Sequence, residues 1–280
     1  MTAVTDLDLT RRFGGINRLY GGNALQRLAE ARVCVIGIGG VGSWAAEALA
    51  RCGVGHIALV DLDHVAESNT NRQIHALEGE YGRAKVQAMA ARIRAINPTC
   101  AVREIDDFVT LENVANLLPA REYDYVLDAI DDGRAKAALI AHCRANDIPI
   151  VTTGAAGGRR DPTRILVADL ARTEHDPLVA RLRAQLRKEY DFPRGPKQTF
   201  GVECVFSTEP IVRPMNSAAA CETDSPGESS TPSAAPQGLN CAGYGSVVMV
   251  TATFGMVAAA RVVDHLTARS IEHACEHPAA

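Results

Sequence analysis

The chain lacks several features that define common classes of protein. Its eight cysteines include no Cys-x-x-Cys pair, so neither a disulfide scaffold nor a paired-cysteine zinc site is indicated. The formal net charge is −4, which excludes a generally basic nucleic-acid binder. Residues 1–10 are polar and acidic rather than apolar, and no internal repeat is present. We therefore expect a cytoplasmic protein with reduced thiols and no zinc, in which any RNA contact is confined to a local patch.

One long uncharged stretch has the length of a membrane span. Residues 242–260 carry no charged side chain, and a run of this length suffices for a transmembrane helix. Glycine, serine and threonine dilute the run, however, and a helix buried in the core or at a subunit interface has the same composition. We therefore expect no membrane span.

Most of the chain alternates between predicted strands and predicted helices, which indicates a doubly wound α/β fold with a mostly parallel sheet. Strands are predicted at 32–37, 56–61, 101–105, 123–130 and 148–152, and helices at 41–52, 83–97, 111–118 and 134–146. Beyond Gly158, strands at 164–170 and 201–207 flank a charged helix at 176–190. We predict an adenylation core at 11–158, a C-terminal α+β extension at 159–267 with a mobile loop at 216–239, and a tail at 268–280.

A glycine loop joins the first predicted strand to the first predicted helix of the core. Three of its glycines fit G-x-G-x-x-G, which permits a tight turn and lets backbone N–H groups approach phosphate. Asp61 ends the next strand, where a carboxylate can hold ribose hydroxyls. The alternative is a turn that only packs the helix on the strand. The nucleotide-binding residues predicted here are Gly37, Gly39, Gly40, Gly42 and Asp61.

The residues after the second strand favour ATP over a dinucleotide. A dehydrogenase needs one acid there, whereas this chain has Asp61 and Asp63 and then Asn69, Arg72 and Lys85. Adenylation builds negative charge on both sides of the α-phosphate, so cations must surround it. Arg72 and Lys85 suit that role. Taken singly, a surface salt bridge is the better interpretation of Arg72 and an ordinary solvated helix residue that of Lys85, but their combination after this strand favours phosphate binding.

A third predicted strand ends in two further acids, Asp131 and Asp132. Because ligands in doubly wound sheets bind at the carboxyl ends of strands, Asp131 should face the same crevice as the glycine loop. A carboxylate there can coordinate the Mg²⁺ that accompanies a triphosphate. The alternative for Asp132 is a cap on the following helix.

Taken together, these motifs resemble the ubiquitin-activating-enzyme-like superfamily of adenylating enzymes, and within it the tRNA threonylcarbamoyladenosine dehydratases, over about residues 11–263. The resemblance rests on Arg12-Phe13-Gly14-Gly15, Arg18-Leu19-Tyr20-Gly21, Gly37-Ile38-Gly39-Gly40-Val41-Gly42-Ser43-Trp44, Thr70-Asn71-Arg72-Gln73-Ile74-His75-Ala76-Leu77 and Cys204-Val205-Phe206-Ser207-Thr208-Glu209. It implies that Asp61 holds ribose, that Asn69, Arg72 and Lys85 contact phosphates, and that Asp131 binds Mg²⁺. It also implies a homodimer in which Arg18 reaches the neighbouring subunit's site.

The activity implied by the resemblance is the ATP-dependent cyclisation of threonylcarbamoyladenosine in tRNA, through adenylation of the threonyl carboxylate. ATP and Mg²⁺ are the expected cofactors, and a cysteine-desulfurase or sulfur-acceptor system is a further partner that the resemblance leaves open. Two alternatives remain at this point: adenylation of the Gly-Gly tail of a sulfur-carrier protein, and a nucleotide-gated interaction protein without catalysis. Many sulfur-carrier activators bind structural zinc through paired cysteines, which this chain lacks.

The predicted helix 176–190 and the segment after it concentrate positive charge around a leucine stripe. We predict tRNA contact through this charge, although basic side chains around a packed helix also serve solubility. The candidate residues are Arg181, Arg183, Arg187, Lys188, Arg194 and Lys197.

Three late cysteines, Cys204, Cys221 and Cys241, raise the question of a thioester step. Ring closure within one side group reaches effective molarities on the order of 10⁵ M, so it needs no thiol relay. A free cysteine is most often a small buried hydrophobe, and we expect that role.

Overall fold

The computed structural model describes residues 8–195, 197–212 and 244–268, within which seven strands form one sheet. The strands are β1 (Arg32–Ile36), β2 (His56–Val60), β3 (Ala101–Ile105), β4 (Tyr125–Asp128), β5 (Ile150–Thr153), β6 (Ile165–Asp169) and β7 (Glu203–Ser207). Their order across the sheet is β3-β2-β1-β4-β5-β7-β6. All neighbouring strands are parallel except β6 and β7, which are antiparallel. The predicted doubly wound, mostly parallel fold is therefore confirmed.

Helices flank both faces of the sheet. They are α1 (Leu9–Phe13), α2 (Gly15–Tyr20), α3 (Ala24–Glu30), α4 (Gly42–Arg51), α5 (Lys85–Ile96), α6 (Val114–Leu117), α7 (Gly133–Ala145), α8 (Pro177–Glu189) and α9 (Val248–Ala268). The helix predicted at 111–118 is clearly shorter in the structure, where only the single-turn helix α6 forms. There the Asn113 side chain accepts the Thr110 N–H at 2.7 Å, which holds the preceding residues in a turn.

The core lies on both faces of the sheet. Helices α4, α5 and α9 pack on one face, and α6, α7 and α8 pack on the other. Strands β4 and β5 are buried along their whole length. Burial on both faces explains why these strands read as nearly continuous apolar runs rather than as alternating ones.

Two strands that follow Gly158 belong to the same sheet as the five that precede it, because β7 pairs with β5. The predicted boundary at residue 158 therefore separates two segments that share one sheet, and the division into a core and an extension stays a prediction. The predicted loop at 216–239 and the tail beyond residue 268 lie outside the described residues.

The uncharged run at 242–260 forms most of α9. By length and composition alone, α9 could cross a membrane, yet its buried residues join the core against α4. At Gly255 the helices cross closely, since a Cβ there would lie 2.4 Å from the Val41 carbonyl oxygen and 2.9 Å from the Ala45 nitrogen. The small residues that dilute the run are thus what allows α9 to approach α4.

Replacement of Gly255 by alanine should lower the free energy of unfolding by about 1–3 kcal/mol, because the added methyl group overlaps the α4 backbone. The expected loss is informative because alanine otherwise stabilises a helix interior. Gly245→Ala is the matched control, since a Cβ at Gly245 meets nothing within 4 Å. Urea denaturation of both variants measures the difference. Equal stabilities would contradict the close crossing of α4 and α9.

Candidate active site

A cavity of about 740 Å³ opens at the carboxyl ends of the parallel strands. Its walls come from the segments that follow five adjacent strands, in the order β3, β2, β1, β4 and β5. These segments are 107–112, 61–63, 37–41, 129–132 and 153–157. Since neighbouring strands are about 4.8 Å apart, the cavity extends over roughly 19 Å of the sheet edge. It can therefore hold an elongated ligand, or two ligands end to end.

The glycine loop forms the central wall of this cavity. Gly37, Gly39 and Gly40 line it, and Gly37 has a φ of +84°, which favours glycine over other residues. Gly42 does not line the cavity. A Cβ at Gly42 would lie 1.8 Å from the Gly37 carbonyl oxygen, so this glycine allows the start of α4 to pack against the loop.

Asp61 lies beside the loop and is held by two backbone donors. Its Oδ2 accepts the Ile38 N–H at 2.6 Å and its Oδ1 accepts the Asp63 N–H at 2.9 Å. Burial raises the pKa of this carboxyl above its usual range, and the positive charge of Lys85 opposes that rise. Each carboxylate oxygen keeps an unused lone pair, as a residue that accepts hydrogen bonds from ribose hydroxyls must.

Lys85 is the first residue of α5, and its side chain is buried beside two carboxylates. Its Nζ lies 2.6 Å from Asp63 Oδ2 and 3.9 Å from Asp61 Oδ1. The Asp63 side chain is 74% exposed, so a polyphosphate can displace it from the ammonium group without disrupting the core. Both residues line the cavity, as the sequence predicts.

Arg72 also lines the cavity, and hydrogen bonds hold its segment in place. Its Nη1 donates to the Ser68 carbonyl at 2.7 Å, and its own carbonyl accepts the Trp44 indole N–H at 3.0 Å. Partial burial lowers the pKa of the guanidinium from its usual value. The adjacent Asn71 donates to the Ser246 carbonyl at 2.8 Å, which ties this segment to the chain just before α9.

Asn69 does not line the cavity. It is buried, and its Oδ1 accepts the Ala66 N–H at 3.1 Å, so its contact with phosphate stays a prediction. Gln73, which the sequence analysis did not single out, does line the cavity. Its Oε1 is buried without a hydrogen-bond partner. Its position directly after Arg72 was the feature of the sequence that could have identified Gln73 as a cavity residue.

The segment after β4 presents charges of both signs to the cavity. Asp131 is exposed and lines the cavity, with Arg134 nearby on the same wall. Asp132 also lines the cavity, but its Oδ1 accepts the N–H groups of Arg134 and Ala135 at 2.8 Å. Asp132 is therefore the cap of α7, and Asp131 is the carboxylate free to meet a cation. Arg134 is a cavity residue that sequence reasoning missed.

The far end of the cavity is lined by residues from segments distant in sequence. Leu178 and Ser246 line the cavity as well, and the wall formed by 153–157 includes Tyr244, whose Cβ lies 3.7 Å from the position of a Cβ at Gly157. This wall is fixed by Asp176, whose Oδ2 accepts the Ala155 N–H at 2.8 Å. The same carboxylate caps α8 through its Oδ1 and pairs with the buried Arg159 at 3.3 Å.

Arg18 is exposed on α2 and does not line the cavity of its own chain. Within the residues described, nothing brings its guanidinium to Asp61 or Asp131. Its predicted role in the site of a second subunit stays a prediction.

The cations predicted to contact tRNA fall into two groups. Arg183 and Arg187 are half-buried and donate to backbone carbonyls, those of Thr173 at 2.8 Å and Pro193 at 3.2 Å respectively. Arg187 also lies over the Phe200 ring at 5.2 Å. The exposed members are Arg181, Lys188, Arg194 and Lys197, of which Arg181 and Arg194 also donate to backbone carbonyls, those of Pro177 at 3.3 Å and Arg187 at 2.6 Å. Because the first pair is half-buried, it helps to hold α8 in place, and the second group is the accessible charge.

The described cysteines are all free thiols. Cys204 is fully buried on β7, and burial raises the pKa of its thiol well above the usual range. A protonated, inaccessible thiol is a poor nucleophile. Cys221 and Cys241 lie outside the described residues. No group of three or more potential metal-binding side chains occurs among the described residues, and the absence of zinc stays an expectation.

The chain and its fold are similar to those of known proteins. The model of the ThiF family matches residues 14–278. The chain is 52% identical to a tRNA threonylcarbamoyladenosine dehydratase of Escherichia coli, over 93% of this chain and 95% of that one. A crystal structure of the E. coli tRNA N6-threonylcarbamoyladenosine dehydratase in complex with ATP superposes with a TM-score of 0.82 at 50% identity, covering 96% of this chain and 99% of that one. The same enzyme in complex with AMP gives a TM-score of 0.81.

Proposed function

Because the chain belongs to the ThiF family, and because nearly all of its length is similar to known dehydratases, we infer that it is an ATP-dependent tRNA threonylcarbamoyladenosine dehydratase. The observation that carries this inference is the match over nearly the entire chain to proteins named for one activity. A cavity lined by both acidic and cationic side chains supports it. The chemistry is the cyclisation of the threonylcarbamoyl group of the modified adenosine.

In the first step, the threonyl carboxylate attacks the α-phosphorus of ATP. A phosphorus–oxygen bond forms to the carboxylate, the bond to the β-phosphate oxygen breaks, and pyrophosphate leaves with the electron pair. Negative charge increases on the phosphate oxygens in the transition state. Arg72 and Lys85, both on the cavity wall, are placed to stabilise that charge, and Arg134 adds a third cation.

In the second step, a nitrogen of the same side group attacks the acyl carbon of the adenylate. A carbon–nitrogen bond closes the five-membered hydantoin ring, the bond to AMP oxygen breaks, and the nitrogen loses its proton. One carboxylate oxygen therefore leaves in AMP, which accounts for the net loss of water. The step is intramolecular, so orienting the side group is the enzyme's main contribution.

In this proposal, the nucleoside of ATP and the modified base bind at opposite ends of the cavity along the sheet edge. The end below β3 and β2 contains Asp61 and is suited to the nucleoside, whereas the end below β5 contains 153–157 and Tyr244 and is suited to the modified base. The glycine loop and Asp131 lie between them, where the phosphates meet the substrate carboxylate. We propose that Asp131 holds Mg²⁺, since its exposed carboxylate is an oxygen donor that this ion prefers. When bound, Mg²⁺ would neutralise phosphate charge.

The overall reaction is tested by incubating the protein with Mg-ATP and threonylcarbamoylated tRNA whose threonyl carboxylate carries a heavy oxygen isotope. The modified nucleoside should lose one water in mass, and the heavy isotope should appear in AMP. A label found in inorganic phosphate instead would show phosphorylation rather than adenylation. Adenylation of a Gly-Gly peptide with no change in tRNA would establish the sulfur-carrier alternative.

Removal of charge from the cavity should slow turnover without unfolding the protein. Arg72→Ala, Lys85→Ala and Asp131→Ala should each lower kcat/KM by about 10² or more, because they remove groups that stabilise phosphate charge. Arg94→Ala is the control, since Arg94 pairs with Glu104 away from the cavity. Thermal unfolding checks the fold of each variant. Near-normal rates for all three cavity variants would show that the site is elsewhere.

We propose further that the enzyme is a homodimer in which Arg18 completes the partner subunit's site. The exposure of Arg18 and its absence from the lining of its own chain's cavity support this arrangement. Arg18→Ala and Asp131→Ala should each be inactive alone, and a mixture should regain activity, because a mixed dimer contains one site with both groups. Activity is measured after subunit exchange has been verified with differently tagged chains. A lack of recovery would contradict a shared site.

For tRNA, we propose contact through the exposed cations of α8 and the segment after it. Replacing Arg181, Lys188 and Lys197 by glutamate should weaken tRNA binding and reduce the slope of its salt dependence by about one per lost phosphate contact. ATP binding should be unchanged. The same replacement at Arg94 and Arg103, at the opposite edge of the sheet, is the control. Equal effects of the two sets of replacements on tRNA binding would show that the exposed cations of α8 serve solubility rather than tRNA contact.

We place the reaction in the cytoplasm, in agreement with the free thiols of the described cysteines. A sulfur-transfer partner stays a prediction from the resemblance alone.

A further inference from the structure

A fully buried ion pair lies directly beneath the cavity. Asp128 is the last residue of β4, and Lys136 belongs to α7; the Nζ of Lys136 is 2.8 Å from Oδ2 of Asp128, and both side chains have 0% exposure. The same Oδ2 accepts the hydroxyl of Thr152 at 2.6 Å. Removing two charges from water is costly, and an apolar pair of similar volume is often at least as stable. Stability alone therefore does not account for this pair.

The pair holds both polar groups of Ile130. The Ile130 N–H donates to Asp128 Oδ1 at 3.2 Å, and the Ile130 carbonyl accepts from Lys136 Nζ at 2.9 Å. Ile130 lines the cavity and directly precedes Asp131. The buried pair therefore holds both peptide units that flank Ile130: Asp128 holds the unit that enters it, and Lys136 holds the unit that leads into Asp131.

The same segment also contacts the glycine loop. A Cβ at Gly37 would lie 2.9 Å from the carbonyl carbon and oxygen of Ala129 and 3.0 Å from Cγ2 of Ile130. There is consequently no space between the segment and the loop. A shift of Ile130 would change the distance between Asp131 and the backbone groups that approach the phosphates.

We propose that Asp128 and Lys136 are positioning residues that align Asp131 with the glycine loop and so determine how strongly Mg²⁺ promotes ATP binding. This inference rests on the proposed role of Asp131 toward Mg²⁺. Neither Asp128 nor Lys136 lines the cavity, so both act through the backbone on the two sides of Ile130. A purely structural pair would affect unfolding but would not affect the dependence of ATP binding on the metal.

The test compares ATP affinity with Mg²⁺ and with a chelator, by calorimetry, in the full-length protein. Lys136→Met alone leaves a buried, unpaired carboxylate and should lower the melting temperature. The double variant Asp128→Asn with Lys136→Met removes both charges and should recover much of the stability. It should nevertheless bind ATP about 10- to 100-fold more weakly in Mg²⁺, as expected when a group that orients a metal ligand is lost. Its affinity in chelator should be nearly that of the wild type.

Hydrogen exchange gives a second readout of the same alignment. Amides of 129–133 should exchange faster in the double variant than in the wild type. The control replaces a pair that does not line the cavity, by Glu47→Gln with Arg92→Met, in which Arg92 Nε lies 2.6 Å from Glu47 Oε2. It should leave the effect of Mg²⁺ on ATP affinity unchanged. If the double variant does not fold, Thr152→Val decides the question, because it removes one hydrogen bond from Asp128 and should shift the effect of Mg²⁺ in the same direction.

The variant Asp131→Asn distinguishes an error in the proposed role of Asp131 from an error in the positioning role of Asp128 and Lys136. If it leaves the effect of Mg²⁺ intact, then Asp131 does not bind the metal and the inference fails with that role. If it abolishes the effect while the folded double variant behaves like the wild type in both readouts, only the positioning role of Asp128 and Lys136 is wrong.

Discussion

The reversal of strand order beside β1 is the constraint on which the rest of this structure depends. The chain adds β2 and β3 on one side of β1 and then returns to add β4 on the other. The connections that leave β1 and β4 therefore diverge, and a crevice opens between them. The glycine loop follows β1 and Asp131 follows β4, so this topology alone brings together two motifs that are far apart in sequence.

Close packing then determines how much of the crevice can be used. Gly42 lets α4 start against the loop, and Gly255 lets α9 cross α4 at a distance that a methyl group would prevent. As a result, Tyr244 and Ser246, which precede α9, reach the wall of the cavity. The apolar helix α9, which has the length of a membrane span, is thus preceded by a segment that lines the cavity.

The sequence predicted the fold and several residues that line the cavity, because both depend on local patterns at the ends of strands and the starts of helices. Asp61 and Asp131 could be placed from their positions after apolar runs, and Lys85 from its position at the start of a predicted helix. Other features depend on long-range contacts that no local pattern contains. Arg183 and Arg187 read as surface cations until the carbonyls of Thr173 and Pro193 are seen beside them. Lys136 likewise reads as an ordinary helical lysine, and only the tertiary structure shows it beneath the cavity.

The Asp176 carboxylate joins three parts of the molecule at one point: the start of α8, the Ala155 wall of the cavity and the buried Arg159. In mechanical terms, the start of α8 and that wall are linked through one side chain, because the same carboxylate accepts hydrogen bonds from Ala155 and from the first turn of α8. Packed protein interiors compress little. A displacement of the first turn of α8 is therefore transmitted to the cavity wall at Ala155.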